Sequence, residues 1–247
     1  MTDFWKRFSR NRSAVLGLAI LLLVVFIAAI ASLIYPEDPF RLAGKPMSEP
    51  GANGFLLGSD SLGRDVASGI AHGAKTSLLI GLIATLAAVF IGVIFGALAG
   101  YYGGRTDDIL MRITEVFQTI PSFVFAILLV AIMKPSIDSI VVAITVVSWP
   151  GVARLVRGEF LALKNREFVQ ACHTLGMSDR RIMLAEILPN CLSPIIVIGS
   201  LMVATAILIE SGLAFLGLGD PNIMSWGFQI GAGRTMLRSA WWICTFP

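Results

Sequence analysis

The sequence predicts an all-α integral membrane protein, a polytopic bundle in which five helices cross the bilayer. Of its 247 residues, 56% are apolar and 14% are charged, whereas a soluble domain carries about 25% charged residues. The mean hydropathy is +0.81. Uncharged runs recur at about the 20 residues that a helix needs to cross a bilayer. The alternating pattern of a membrane strand is absent, which leaves α-helices as the spanning elements.

The first predicted span is Ala14–Ile34, which contains no charged residue. It follows a basic segment, FWKRFSRNR, and it contains Ala29-Ile30-Ala31, which a signal peptidase could cleave. The apolar core before that site is longer than the roughly 7–15 residues of a signal peptide. We therefore favour an uncleaved span over a removed signal.

Four further runs are predicted to cross the bilayer. The third span is interrupted by Pro121, and the fourth is short and β-branched but continues helically through Trp149 and Pro150. In chain order these four runs are Thr76–Gly104, Val116–Met133, Ser139–Ala153 and Leu192–Leu218. Residues 1–75 then form an N-terminal cytoplasmic segment, the first span and an exterior loop, and residues 76–247 form the helical core.

The basic residues predict the orientation, because cytoplasmic loops are enriched in Lys and Arg. With the N-terminus in the cytoplasm, twelve of the 19 basic residues lie inside and seven lie outside. The inside set is Lys6, Arg7, Arg10, Arg12, Arg105, Arg112, Arg154, Arg157, Lys164, Arg166, Arg180 and Arg181. The outside set is Arg41, Lys45, Arg64, Lys75, Lys134, Arg234 and Arg238. A cytoplasmic N-terminus is therefore predicted.

A polar segment at about residues 164–190 separates the last two spans, and its pattern predicts a helix–glycine–helix hairpin. The first helix, Arg166–Thr174, places an apolar stripe on one face. The stripe consists of Phe168, Ala171, Cys172 and Leu175. Gly176 can adopt the left-handed conformation that ends a helix, and Ser178 can cap the next one. The second apolar face consists of Ile182, Met183, Ala185 and Ile187, and Pro189 begins the next span. Such a hairpin suits docking in a protein groove, and the alternative is an amphipathic loop on the membrane surface.

Three features inside the spans are candidates for packing or transport. Gly92, Gly96, Gly100 and Gly104 recur every four residues, a spacing that lets helices approach closely. This seam faces either a partner subunit or, as we favour, another helix of the same chain. Pro121 is expected to kink the third span near a pathway. Glu210 is an ionisable residue inside the fifth span, which predicts a cavity or a polar partner.

The hairpin sequence is similar to the cytoplasmic EAA loop of ABC importer permeases, whose pattern is roughly E-A-A-x3-G-x9-I-x-L-P. Gly176, Leu188 and Pro189 fit that pattern, whereas Gln170-Ala171-Cys172 replaces E-A-A and Glu186 replaces the isoleucine. The peptide/nickel subfamily instead shows R-E-F-V-x-A-A-x-x-L-G followed by I-L-P-N. REFVQACHTLG and ILPN match that pattern closely.

Other segments resemble signatures of the same subfamily in the same order along almost the whole chain. They are LGSDSLGRDVAS (with Gly69 in place of a final Arg), AGYYGGRTDDILMR, WPGVARLVRGEFLALK, GLAFLGLGDP and SWG. The chain thus resembles the C-type permease subunit of dipeptide, oligopeptide or nickel ABC importers. The resemblance implies a type I importer permease fold and a multi-pass location in the bacterial cytoplasmic (inner) membrane. It also leads us to expect a sixth span of about 20 apolar residues and a short polar tail after Pro247.

The resemblance also implies the partners and the site residues. The partners would be a homologous permease in a heterodimer, two ATPase subunits and an extracytoplasmic substrate-binding protein, with lipid around the spans and no nucleic acid. The residues coupled to the ATPase would be Glu167, Phe168, Ala171, Leu175, Gly176, Arg180 and Arg181. Pro121 and Glu210 are candidates for the pathway or its gate. Peptide is favoured as the substrate, and the alternative is nickel or another small solute.

No catalytic or nucleotide-binding pattern is found, so the chain is expected to be a transport subunit and not an enzyme. A P-loop needs G-x4-G-K-[ST], and the nearest approach, Gly73-Ala74-Lys75-Thr76, separates its Gly from its Lys. No cofactor or metal is therefore expected in this chain, and ATP and magnesium would be bound by the ATPase partners. A secondary transporter is the alternative from another class, but the inverted repeat that it predicts is not found.

Overall fold

The computed structural model describes residues 8–247, and the regular elements in that range are helices. In chain order these are α1 (Arg12–Ile34), α2 (Val66–Tyr102), α3 (Gly104–Gln118), α4 (Ser122–Met133), α5 (Ile137–Leu163), α6 (Glu167–Thr174), α7 (Asp179–Arg181), a π-helical turn (Ile182–Ile187), α8 (Leu188–Phe215), α9 (Trp226–Gly233) and α10 (Trp242–Thr245). An isolated bridge joins Ser59 and Asp65. The beginning of the basic segment before the first span, with Lys6 and Arg7, lies outside the described residues.

The chain folds into two compact units. One contains the residues up to Leu78 together with Pro221–Pro247, and the other contains Leu79–Asp220. The final 27 residues therefore pack with the N-terminal part of the chain.

Within residues 8–247, four helical stretches are long and apolar enough to cross a membrane, namely α1, α2, α5 and the continuous stretch Asp179–Phe215. The predicted third span differs from a single kinked helix, because α3 and α4 meet at a bend of 79°. Pro121 is the N-cap of α4, with φ −53° and ψ 128°. The proline thus separates two helices instead of bending one. The 12 residues of α4 reach only about 18 Å at 1.5 Å per residue, which is short of a bilayer of about 30 Å.

The packing of α2 against α5 indicates whether the bent pair of α3 and α4 crosses the bilayer. Positions 92, 96 and 100 of α2 face Val152, Val156 and Phe160 of α5, so residue numbers rise together along the two helices. The helices are therefore parallel, and the chain must return across the bilayer once between them. The bent pair of α3 and α4 is the segment that does so. Residues 8–247 thus contain four helices that are long and apolar enough to span, and five crossings if the bent pair counts as one, which agrees with the five predicted.

The glycine seam packs within the subunit, as we favoured. A Cβ placed on Gly92 would lie 2.5 Å from Val152 Cβ, and one on Gly100 would lie 2.6 Å from Phe160 Cβ. Such distances require glycine where α2 meets α5. Gly104 does not belong to the seam, because it opens α3 at φ +50° and a Cβ there would meet nothing within 4 Å. The prediction was wrong at this position because the chain turns at Gly103, at φ +67°.

The unit Leu79–Asp220 has two main apolar clusters. In one, side chains of α2, α4, α5 and α8 meet, among them Ile80, Val130, Ile144 and Leu213. In the other, α5 and the start of α8 pack against the segment that contains α6 and the π-helical turn. The second cluster therefore attaches the predicted hairpin to two spans.

In the first unit, the C-terminal segment packs onto the loop that precedes α2. The indole of Trp242 is buried and donates to the Ser59 carbonyl at 3.1 Å, and Gln229 donates to the Val66 carbonyl at 3.2 Å. Trp241, Trp242 and Phe246 form an aromatic cluster, and Trp242 is a core residue of this unit.

Candidate functional site

The hairpin is built around a Schellman motif at the end of α6. Gly176 has φ +73°, a conformation that glycine adopts without the penalty of a side chain. The Gly176 amide donates to the His173 carbonyl at 3.0 Å, and the Met177 amide donates to the Cys172 carbonyl at 3.1 Å. These two bonds define the motif. The predicted role of Gly176 in ending the helix is confirmed.

The second arm begins at Ser178, which occupies the N-cap position of α7 as predicted, but its side chain makes no capping hydrogen bond. The neighbouring Asp179 instead accepts a hydrogen bond of 2.8 Å from the Tyr101 hydroxyl. Tyr101 lies at the end of α2. The hairpin is therefore joined to α2 by a side-chain hydrogen bond that the sequence did not reveal.

One face of the hairpin is buried against the spans. Val169, Ile182 and Ile187 are completely buried together with Phe160 of α5. Cys172 packs on the edge of this cluster and so belongs to the buried face, whereas its spacing predicted that it would share one face with Phe168, Ala171 and Leu175. Ala185 is exposed, which corrects the predicted second apolar face. Val169, which the sequence did not single out, is the central contact of α6.

The other face is apolar and open. Leu175 is 80% exposed and Phe168 is 40% exposed, and Ala171 and Gly176 are exposed between them. Positions 168, 171 and 175 share one side of a helix, because three- and four-residue steps return to the same face. The structure thus brings together the apolar members of the predicted coupling set on one surface, which we call the outer face.

The predicted charged members surround this outer face. Glu167, Arg180 and Arg181 are exposed, and none of them forms a salt bridge within residues 8–247. Lys164, just before the hairpin, has a fixed role. Its Nζ donates to the Gly100 carbonyl at 2.9 Å and lies 3.4 Å from the Tyr101 carbonyl. A cation on the last carbonyls of a helix stabilises its C-terminus.

The hairpin continues into α8 through the π-helical turn Ile182–Ile187. Pro189 lies in the first turn of α8, where its missing amide and its ring prevent an unbroken α-helix across this region. A wider turn removes that conflict, and π-turns are a known way to accommodate such residues. The Asn190 side chain donates to the Glu186 carbonyl at 2.6 Å. Pro189 therefore introduces the span as predicted, although the π-turn was not foreseen.

The two candidate pathway residues lie on neighbouring elements. Pro121 is exposed at the start of α4. Glu210 is only 2% exposed, and the Ser211 hydroxyl donates to its carboxylate at 3.5 Å. A Cβ placed on Gly212 would lie 2.9 Å from the Phe123 ring, so the start of α4 contacts α8 one turn or less from Glu210. The buried face of α8 that holds Glu210 also holds Ala206 and Leu213.

A bidentate ion pair joins α3 to α5 near the end where the hairpin lies. Arg157 donates to the two carboxylate oxygens of Asp107 at 2.5 Å and 2.6 Å. Bidentate pairs of arginine and carboxylate fix geometry as well as charge. The sequence does not reveal this pair, because 50 residues separate its members. A cavity of about 610 Å³ adjoins it, with charged residues of both helices in its wall.

Comparisons with known proteins agree with this architecture. The methionine ABC transporter MetNI in an inward-facing conformation has a similar fold, with a TM-score of 0.57 at 16% identity over 68% of this chain and 81% of that one. The fold is thus of the type I ABC importer permease class. Residues 92–246 match the family of binding-protein-dependent transport system inner membrane components, and residues 1–49 match the N-terminal transmembrane domain of oligopeptide transport permease C. The chain belongs to this family of permeases.

Individual relatives are similar along the whole chain. A dipeptide transport system permease of Bacillus subtilis is 42% identical over 99% of this chain and 77% of its own length. A dipeptide transport system permease of Escherichia coli is 41% identical over 100% of this chain and 85% of its own. A di/tripeptide transport system permease of Pseudomonas aeruginosa is 37% identical over 100% and 84%. The predicted family and fold class are confirmed, and the chain is a multi-pass membrane component of an ABC import system.

Proposed function

We propose that this chain carries peptides across the bacterial cytoplasmic membrane as one of two homologous permease subunits. The similarity to dipeptide, di/tripeptide and oligopeptide permeases over the full chain supports this substrate class. Two ATPase subunits, which bind ATP and magnesium, and an extracytoplasmic binding protein complete the assembly. The N-terminus lies in the cytoplasm, so that the hairpin faces the ATPases.

The observation that carries the proposal is the outer face of the hairpin. Leu175, at 80% exposure, contributes little to the packing of its own chain, yet the hairpin places it on the same face as Phe168 and Ala171. Exposed apolar side chains grouped on a rigid surface suit a partner groove. Glu167, Arg180 and Arg181 are placed to supply polar contacts at the rim of that groove, where charges favour orientation more than affinity.

The inner face of the hairpin is suited to transmit motion. Val169, Ile182 and Ile187 are packed in one cluster with α5 and the beginning of α8. A close-packed cluster moves as a body, because packed interfaces switch between arrangements and do not deform continuously. When ATP closes the ATPase dimer, displacement of the hairpin would therefore move the ends of α5 and α8. Pro121 and Glu210, where α4 meets α8, are then proposed to lie at the pathway or its gate.

Substitution of Leu175 by aspartate tests the docking role. Because the side chain is already exposed, the fold is retained, whereas a charge in the centre of an apolar contact opposes binding. Loss of a central contact residue costs about 1–2 kcal/mol or more, which is roughly 5- to 30-fold in affinity. The measurement is copurification of the ATPase subunits with the membrane-extracted permease, together with substrate-stimulated ATP hydrolysis.

The matched control is Leu42→Asp, because Leu42 is 66% exposed and lies in the first unit, far along the chain from the hairpin. Normal ATPase binding by Leu42→Asp together with weakened binding by Leu175→Asp supports the proposal. Equal ATPase binding and equal coupling in both variants would refute the docking role.

The orientation is tested with single cysteines and an impermeant thiol reagent. Ser59 is buried, so exposed Glu49 is the suitable exterior position, and exposed Ser178 is the suitable hairpin position. Labelling of Glu49→Cys in intact cells, and of Ser178→Cys only after permeabilisation, is expected. The background should lack Cys172 and Cys244; burial raises the pKa of the Cys244 thiol, which slows its labelling without abolishing it. The reverse labelling pattern would invert the orientation.

A further inference from the structure

An open cavity between α3 and α5 has a wall rich in charged side chains. Its volume is about 610 Å³, within the range of about 300–1,000 Å³ that small-ligand sites occupy. The wall contains carboxylates and guanidinium groups together. It lies near the end of the unit that carries the hairpin, since Asp107 follows the end of α2 by five residues.

The helical spacing explains why charges collect there. Asp108, Arg112 and Glu115 are separated by four and three residues along α3, so they share one face and all three line the cavity. The exposed apolar residues Ile109 and Val116 fall on a separate stripe of the same helix. The helix is therefore amphipathic, with one side suited to apolar surroundings and one side facing a polar space.

Pairing within the cavity is incomplete. Asp107 and Arg157 neutralise each other and hold α3 against α5. Asp108, Arg112, Glu115 and Arg154 are exposed, and none of these four forms a salt bridge with any residue of the described range. Two cationic and two anionic groups thus remain available to a molecule that carries both charges.

We propose that this cavity holds the two charged termini of the transported peptide on the cytoplasmic side of the pathway, an inference that rests on the proposed peptide import. Arg154, with Arg112, would pair with the peptide carboxylate, because a guanidinium binds a carboxylate through two parallel hydrogen bonds. Asp108 and Glu115 would pair with the peptide ammonium group. The termini of a dipeptide or tripeptide, at about 3.5 Å per residue, are separated by a distance that such a cavity can span.

The presence of both charges in the cavity wall favours a zwitterionic peptide over a simple anion. A phosphate or an anionic lipid headgroup would be favoured by the arginines but repelled by the two free carboxylates. A zwitterion satisfies both sets. The exposed position of the four groups makes each pair weak, on the order of a two- to fivefold effect on affinity. Weak binding is what a pathway requires, since the cargo must leave as well as enter.

Photo-crosslinking tests the site directly. The probe is a dipeptide that carries p-benzoylphenylalanine, added to the purified four-subunit transporter in nanodiscs without nucleotide or binding protein. Benzophenones insert readily into methionine side chains, and Met111 lines the cavity. Mass spectrometry is expected to find labelling at Met111. Unmodified dipeptide should compete about two- to fivefold better than the N-acetylated, C-amidated form.

Variants and uptake separate this inference from the proposed function. Arg154→Gln and Glu115→Gln should each reduce labelling about two- to fivefold, whereas Arg105→Gln should not, because Arg105 is an exposed arginine of the same helix outside the cavity wall. Equal competition by the blocked peptide, or labelling that avoids the cavity while wild-type dipeptide uptake is normal, would overturn the inference alone. Absence of dipeptide uptake by the wild-type complex would overturn the proposed function itself.

Discussion

Replacement of Gly96 by alanine tests the close approach of α2 and α5. A Cβ at this position would lie 2.7 Å from Val156 Cβ and 2.9 Å from the Arg157 backbone nitrogen. Neither atom can rotate away, because both are fixed to the backbone of α5. Carbon atoms in contact are normally about 3.5–4.0 Å apart, so the two helices would have to separate by roughly 0.8–1.3 Å.

The cost can be worked out against a control in the same helix pair. Overpacking of a tight contact costs about 1–3 kcal/mol, and removal of a helical glycine gains about 0.5–1 kcal/mol. Gly151→Ala should show only the stabilisation from removing a helical glycine, because a Cβ on Gly151 of α5 meets nothing within 4 Å. The difference between the two variants isolates the overpacking cost, about 1–3 kcal/mol.

The assay is the midpoint of thermal loss of the monodisperse complex in detergent, followed by size-exclusion chromatography. At about 2–4 °C per kcal/mol for a chain of this size, Gly96→Ala should lose stability at a temperature about 2–12 °C below that of Gly151→Ala. Equal midpoints for the two alanine variants would show that α2 and α5 are not held at the described separation, and the parallel packing that requires five crossings would lose its main support.

Other substitutions address the hairpin, the α3–α5 ion pair and the first unit. Gly176→Asn should preserve substrate-stimulated ATPase activity because Asn tolerates the left-handed conformation. Gly176→Val should reduce this activity, because the left-handed conformation costs a valine about 1–2 kcal/mol. Equal activities of the two variants would show that the backbone conformation at this position does not matter for coupling. Arg157→Gln and Asp107→Asn should lower the thermal midpoint of the complex, and the double variant should fall no further than the worse single one, since they share one interaction; additive losses would contradict the pairing. Trp242→Ala should destabilise the first unit by about 3–5 kcal/mol, read as faster proteolysis of residues 35–65, and unchanged proteolysis would count against its core position.

Hydropathy located the spans because a helix crosses a membrane by virtue of its length and apolarity, and both can be counted in the sequence. The helix ends were harder. The predicted second span began at Thr76, after the charge of Lys75, whereas α2 begins at Val66. Asp65 explains the difference, because its carboxylate accepts the Ala67 amide at 2.9 Å. A cap of this kind starts a helix, and the first turns of α2 then lie outside any uncharged run.

Features that depend on distant partners could not be predicted. The Asp107–Arg157 pair and the burial of Trp242 both join positions that only the folded chain brings together. The break at Pro121 was visible in the sequence, but its size was not, because a proline permits either a kink within a helix or a full separation of two helices. The glycine spacing predicted a seam correctly, yet a spacing of four residues could not show that the helix ends before Gly104.

The hairpin shows how far a sequence pattern reaches and where packing must decide. By spacing alone, residues 168, 171, 172 and 175 fall on one stripe of a helix. Successive positions lie only about 100° apart around the helix axis, so a broad stripe can include both 171 and 172. The structure divides them, with Cys172 at the buried cluster and Phe168, Ala171 and Leu175 outside. The division has a physical consequence, since the fold gains little from an outer leucine that is 80% exposed. The inner face, with Val169 completely buried, accounts for the stability of the hairpin, and the apolar outer face is left to be explained by a partner.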